Sequence, residues 1–375
     1  MDDASKGIEL RSLITEKGQL RLSLDEVAIG EPEPDEVVVR VEAAPINPSD
    51  LGVLLGPADM STLRAEGTAE RPVLTASIQA AAMMRVAARM GQSLPVGNEG
   101  AGTVVRAGAA VSDLLGRKVG IFGGGMYTQL RKLRARDCIL LPEGVSAAEG
   151  ASIYVNPMTA LAFVEAMKAE GHKAIVHTAA ASNLGQMLNR ICIRDGIKLV
   201  NIVRRPEQAA LLRDLGASWV VDSSSPDFEA DLLAAVTATE ATLAFDAIGG
   251  GGQASIILNA METAANSAGQ LDLRYGSGTF QQVYVYGALD LSPIVLDKWL
   301  TFSWSVEGWL LPLFLKKLGA EIVQHMRQRV LSELTTTFAS HYTAEISLAD
   351  MLQPGIAAGY QRKATGEKYL VLPNA

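Results

Sequence analysis

Cysteine is nearly absent. The 375-residue chain carries only Cys138 and Cys192, neither in a CxxC pair nor in a ligand cluster. A disulfide framework and a structural zinc site are therefore not expected. No uninterrupted apolar run is long enough to span a bilayer, and the opening MDDASKGIELRS has no apolar signal core. The expectation is no membrane association and a reduced, cytoplasmic setting. Excess basic charge is missing too: the net charge of −8 argues against a nucleic-acid surface. Internal repeats and low-complexity tracts are also lacking. What is present is apolar material, 48% of residues against 20% charged, enough for a substantial core. The length calls for two domains.

The chain is organised around residues 173–205, KAIVHTAAASNLGQMLNRICIRDGIKLVNIVRR. Residues 174–176 form a short apolar run that reads as a buried strand. A run of small residues follows, Thr178, Ala179, Ala180, Ala181, Ser182 and Asn183, and then Leu184 and Gly185. Leu184, Met187, Leu188, Ile191 and Cys192 recur at helical spacing. Residues 199–203 read as a second strand. The result is a βαβ unit whose tight small-residue turn lets a diphosphate approach the backbone at a helix N-terminus. Of the Gly-x-Gly-x-x-Gly fingerprint only the last glycine is kept: the three places hold Ala180, Ser182 and Gly185. Arg204 and Arg205 stand at the end of the second strand, where a dinucleotide's adenosine ribose would lie.

Residues 1–50 look β-rich, with strand composition at 21–24 and 36–43, and Pro45, Asn47, Pro48 and Asp50 then break the second of these. Asn47 is either a turn residue bonding its own backbone or a polar group facing a ligand. Residues 78–90, rich in Ala and Met, favour a helix. It would be a lid, a subunit contact or a buried helix. From about residue 147 to 309 strands and helices alternate as in a doubly wound sheet, with strands at 219–222, 243–247 and 282–287 and helices at 208–215 and 227–235. Two helices are expected between 310 and 330, then strands at 334–338 and 369–373.

Several ordered segments together resemble the medium-chain dehydrogenase/reductases, in their zinc-independent branch of quinone oxidoreductases and enoyl-thioester reductases. They are VVVRVEAAPINPSD (37–50), VGNEGAGTVV (96–105), VNPMTA (155–160), the loop 179–185 and TGEKYLVLP (365–373). The resemblance covers nearly the whole chain apart from residues 57–95. It implies an α/β protein of two parts: a β-rich GroES-like catalytic domain (1–155 and 310–375) and a Rossmann NADPH-binding domain (156–309). The zinc-dependent relatives need Cys and His near the first two motifs; here Asn47 and Asn98 stand there, so no catalytic zinc is expected. Valine and two arginines, where an NAD enzyme would carry an acid, predict NADPH as cofactor.

The resemblance further implies that Asn156, Thr159 and the backbone at Tyr286 and Gly287 line the nicotinamide, with Ala180, Ser182, Asn183, Leu184 and Gly185 along the diphosphate. Asn47 is the expected polar group for the acceptor. Tyr127 is the candidate proton donor, its alternative being a packing tyrosine. The tyrosine that enoyl-thioester reductases carry shortly after the Asn-Pro-x-Asp turn is replaced by Leu54, Leu55, Gly56, Pro57 and Ala58. Hydride transfer to a quinone or an α,β-unsaturated carbonyl is therefore the expected activity on a small electrophilic substrate. The alternatives are enoyl-thioester reduction and a catalytically weak NADPH-binding redox sensor. Residues 302–309 have the aromatic, β-compatible look of an edge strand through which a homodimer would form.

Overall fold

The computed structural model describes residues 6–69, 71–267, 271–272, 276–297, 302–363 and 365–375. The chain divides into two compact units, residues 1–155 with 331–375, and residues 156–330. Residues 310–330, expected with the first unit, group with the second.

The first unit begins with strands β1 (Lys6–Ile14), β2 (Gln19–Ala28) and β3 (Glu36–Pro45), then helix α1 (Leu51–Leu54). β4 (Arg64–Gly67), β5 (Pro72–Ser77), α2 (Ala80–Met83) and β6 (Ser93–Pro95) follow. Next come β7 (Glu99–Ala107), β8 (Lys118–Phe122), β9 (Leu130–Arg134), β10 (Cys138–Leu140) and α3 (Ala147–Gly150). One sheet runs β4-β5-β2-β1-β6. Residues 57–95, outside the resemblance, therefore supply three of its five strands rather than an appended lid. The predicted helix at 78–90 is instead a single α turn, α2, followed by a 3₁₀ stretch over Met84–Arg89. Ala and Met favour a helix, but a short helix needs a packed face. Here only Val86 of that 3₁₀ stretch is buried, and Met84 is 88% exposed. Arg89 reaches across to Gly52 O, Val53 O and Ser12 Oγ (2.9, 2.8 and 3.0 Å), pinning the segment's end to α1.

The second unit holds α4 (Val155–Ala169, apart from its first residue), β11 (Ala174–His177), α5 (Asn183–Asp195), β12 (Lys198–Val203), α6 (Pro206–Asp214), β13 (Trp219–Asp222) and α7 (Phe228–Thr239). It continues with β14 (Leu243–Asp246), α8 (Gln253–Ser267), the short pair β15 (Leu271–Asp272) and β16 (Gly276–Ser277), β17 (Gln281–Val285), β18 (Trp304–Gly308), α9 (Leu311–Leu318) and most of α10 (Ala320–Ser332). Its sheet runs β13-β12-β11-β14-β17-β18, with every neighbouring pair parallel. Counted along the unit this is the order 3-2-1-4-5-6 of a doubly wound nucleotide-binding sheet. The strands read as unbroken apolar runs because helices cover both faces: all four residues of β11 and of β14 are buried.

The first unit is completed by β19 (Ala344–Ile346), α11 (Pro354–Gln361) and β20 (Tyr369–Val371). Its second sheet runs β10-β8-β7-β3-β20-β19, with β9 on β3. Residues 334–338, read as a strand, form turns instead. Leu334 and Phe338 are buried, so their apolar character reflects packing and not strand pairing.

Candidate functional site

In the second unit Ala180, Ser182 to Gly185, Arg204, Arg205, Tyr286 and Gly287, all predicted cofactor residues, follow the C-terminal ends of strands of the parallel sheet. β11 ends at His177, and Ala179 then takes a left-handed backbone (φ 49°), a conformation glycine usually supplies. The Ala180 N–H donates to Ile202 O of β12 (3.2 Å), folding the loop over the sheet edge. Ser182 is the N-cap of α5, its hydroxyl accepting from the Gly185 N–H (3.2 Å). Asn183 and Leu184 open the helix. Gly185 packs so tightly that a Cβ there would overlap the Ala180 carbonyl. Behind the loop, buried Asn189 and Asn201 exchange amide hydrogen bonds (2.7 and 3.1 Å), tying α5 to β12.

Arg204 and Arg205 follow β12 and are exposed. The Arg204 N–H donates to Gln208 Oε1 (3.0 Å), but neither guanidinium has a hydrogen-bond or ion-pair partner among the described residues. Arg205 caps α6 without a side-chain hydrogen bond, so that helix begins uncapped beside two unpaired cations.

Sequence reasoning named Tyr286 and Gly287 but missed His177, Thr178 and Asp246, which tie the loops together. Buried Asp246, at the end of β14, accepts from Thr178 Oγ1 (2.7 Å), Ile248 N (2.9 Å) and Gly249 N (3.0 Å), while Thr178 Oγ1 accepts from Ala247 N (2.8 Å). Gly249 (φ 75°) lies against the Gly287 carbonyl, leaving no room for a side chain. The Tyr286 N–H donates to Asp246 O. Its hydroxyl meets His177 Nε2 at 2.8 Å, and the two rings stack at 5.8 Å. The only signal for these roles in the sequence was position: each ends a predicted strand. Asn156 and Thr159 lie in the first turns of α4, both nearly buried.

The first unit holds Asn47 and Tyr127, in a polar core rather than on a surface. The Asn47 N–H donates to Asp50 Oδ2 (2.7 Å) and its Nδ2 to Glu99 Oε1 (2.8 Å). Glu99 Oε2 accepts from the N–H groups of Tyr154 and Val155 (2.8 Å each), and Asp50 Oδ1 from Asn98 N (2.8 Å). Burial raises both carboxyl pKa values, that of Asp50 to about 7. Asn47 is thus an internal tie with 1% exposure, not the acceptor-facing group expected. Tyr127 corrects the sequence expectation as well. It is fully buried, and its hydroxyl donates to Pro45 O (3.1 Å). Burial lifts its pKa well above the usual range, and its complete enclosure fits the packing alternative. Half-buried Phe122 and Tyr154 stack face to face at 3.9 Å beside this core. Among the described residues no three His, Cys, Asp or Glu side chains group as metal ligands, and no helix is long and apolar enough to cross a membrane.

No family model matches the chain. A mitochondrial enoyl-[acyl-carrier-protein] reductase of Xenopus tropicalis is 30% identical over 209 residues, 53% of this chain and 51% of that protein. A quinone oxidoreductase of Pseudomonas aeruginosa is 26% identical over 41% of this chain and 49% of its own length. The chain thus spans about half the length of each of these curated relatives. A crystal structure from Mesorhizobium loti, described as a candidate NADPH:quinone reductase, superimposes with a TM-score of 0.74 at 26% identity over all of both chains. In sequence and in fold, the chain is similar to the quinone oxidoreductases and enoyl reductases of the medium-chain dehydrogenase/reductase superfamily.

Proposed function

We propose that the protein is an NADPH-dependent reductase of quinones or α,β-unsaturated carbonyls that works without zinc. The observation that carries this reading is the pair of guanidiniums of Arg204 and Arg205, without partners among the described residues, at the end of β12 beside the uncapped start of α6. A 2′-phosphate is the ligand group that suits two forked cations and a helix N-terminus. The Ala180-to-Gly185 turn has the small residues a diphosphate needs beside it. NADPH, when bound, supplies a hydride. The chain's own part is to hold the acceptor in place and polarise its oxygen. A quinone asks little more, because solvent protonates a hydroquinone anion. Asn156, Thr159, Tyr286 and Gly287 are proposed along the nicotinamide. Asn47 supports the site indirectly, through Glu99.

Zinc independence is supported by the amides Asn47 and Asn98 where ligands would stand, and by the engagement of Glu99 with three N–H donors. A cytoplasmic setting agrees with two free cysteines, whose thiols burial pushes up to about 12. Homodimerisation through β18 is proposed because it is the edge strand of its sheet.

Enoyl-thioester reduction is the second reading, favoured by the match to the Xenopus enzyme. The test is NADPH oxidation against a panel of quinones, enals and enoyl-CoA thioesters, with NADH in parallel. Turnover of quinones or enals with NADPH is expected. Turnover of thioesters alone would replace the first reading by the second. Tight NADPH binding with no turnover would make the protein a sensor, and stoichiometric zinc in the purified protein would sink the zinc-free claim.

A further inference from the structure

The first unit holds a cation that nothing answers among the described residues. Arg131, in β9, is half-buried and its Nε is shut off from solvent, yet its guanidinium makes no hydrogen bond or ion pair there. The other half-buried arginines of this unit are engaged: Arg11 with Glu9 and Ser93, Arg89 with Gly52, Val53 and Ser12, and Arg106 with Glu31. Its remaining arginines are exposed, where water serves them. A shielded donor with no acceptor opposes folding, so this group is suited to an acceptor from outside the chain.

The loop against Arg131 has free donors as well. Gly123, Gly124 and Gly125, which follow β8, all take left-handed backbones (φ 114°, 93° and 73°), a succession that only glycine adopts without strain. A Cβ on Gly123 or Gly124 would meet nothing within 4 Å, so packing does not demand glycine there. On Gly125 it would stand 3.2 Å from Arg131 Cζ and 3.3 Å from Pro95 Cβ, so the guanidinium lies directly on the bare Cα. The Gly123 N–H donates to Asn98 O (3.2 Å) and pins the loop. The N–H groups of Gly124 and Gly125 donate to nothing among the described residues, although Gly125 is buried.

We propose that Arg131, with the amides of Gly124 and Gly125, binds the oxyanion group of a small molecule, a carboxylate or a phosphate. Guanidinium and main-chain N–H groups can only donate, so the set favours anions over cations and over groups that must themselves donate. The planar guanidinium can hold two oxygens at once, and the amides need no side-chain ordering to add theirs. No carboxylate of the chain stands within ion-pair distance of Arg131 among the described residues, so none competes for it. The site lies wholly in the first unit and stands apart from the reductase reading.

The test uses the full chain with Arg204→Ala and Arg205→Ala, which takes away the other cations proposed for a phosphate. Glycine is isotope-labelled, and the protein is titrated with inorganic phosphate and, separately, with acetate in chloride buffer. The Gly124 and Gly125 amide signals should move and saturate with at least one of the two anions, and the one bound more tightly gives the ligand class. Arg131→Gln should weaken that binding about tenfold or more, the worth of a charge-assisted hydrogen bond. No saturable movement of those signals with either anion overturns the site. Movement that Arg131→Gln leaves unchanged also overturns it, as an adventitious ion only. Should Arg131→Gln not fold, Arg131→Lys decides: it keeps the charge but loses the fork, and should still weaken binding. Unchanged binding in that variant overturns the assignment.

Discussion

His177 Nε2 and the Tyr286 hydroxyl meet at 2.8 Å across the C-terminal ends of β11 and β17, with β14 between them. The other ring nitrogen of His177, Nδ1, is buried without a partner among the described residues. Tyr286→Phe leaves both nitrogens unsatisfied and should cost about 1–3 kcal/mol in urea denaturation. Replacing His177 by Phe as well should recover part of the loss, since two apolar partners leave no orphaned polar atom. Burial also holds the His177 pKa at about 3, against the usual 6.5. Between those values the unfolded imidazole binds a proton that the folded one does not. The ring's contribution is full above about pH 6.5 and is lost as pH falls toward 3. His177→Phe should flatten that part of the acid limb.

Gly185→Ala tests the packing of α5 against the loop before it. The added Cβ meets the Ala180 carbonyl, and backbone cannot step aside as a flexible side chain can. A loss of about 1–3 kcal/mol in chemical denaturation is expected. An unchanged midpoint would mean that α5 shifts freely against its loop.

Arg204→Ala should weaken NADPH binding about 10- to 100-fold, the worth of one charge-assisted hydrogen-bond set. NADH binding should not change, because it has no 2′-phosphate. Calorimetric titration of both cofactors reads the difference, and equal affinity of the unsubstituted protein for the two would refute the cofactor assignment.

Asn47→Ala removes the donor that Glu99 Oε1 holds at 2.8 Å and leaves a buried carboxylate oxygen unsatisfied. The expected cost is about 1–3 kcal/mol, seen as a lower denaturation midpoint.

Lys368 gives a stability signature on the alkaline side. Burial lowers its pKa from 10.5 to about 8. Below about pH 8 both folded and unfolded chains carry the charge, and its desolvation opposes folding in full. From about 8 to 10.5 the folded lysine has lost its proton while the unfolded one keeps it, so this contribution to stability rises with pH. Lys368→Met should remove that rise.

The βαβ unit and the order of strands in the second unit were legible in the sequence because strands buried on both faces leave unbroken apolar runs. β11, β12, β13, β14 and β17 each fall within about a residue or two of their predicted places. Arg204 and Arg205 were legible because their placement follows from the end of a strand. Residues 78–90 were misread because helix propensity says nothing of which neighbour offers a packing face; only Val86 of the 3₁₀ stretch is buried, and Arg89 holds its end to α1. The sequence by itself determined the class of fold and the small-residue turn between β11 and α5, since both rest on local periodicity and on residue size at a turn. Tertiary structure alone decided that Asn47 and Tyr127 point into a core. It also brought Ser152, Tyr342 and Lys368, separated by up to 216 positions, into one hydrogen-bonded set. Burial and long-range pairing depend on which strands become neighbours, and no short window of sequence records that.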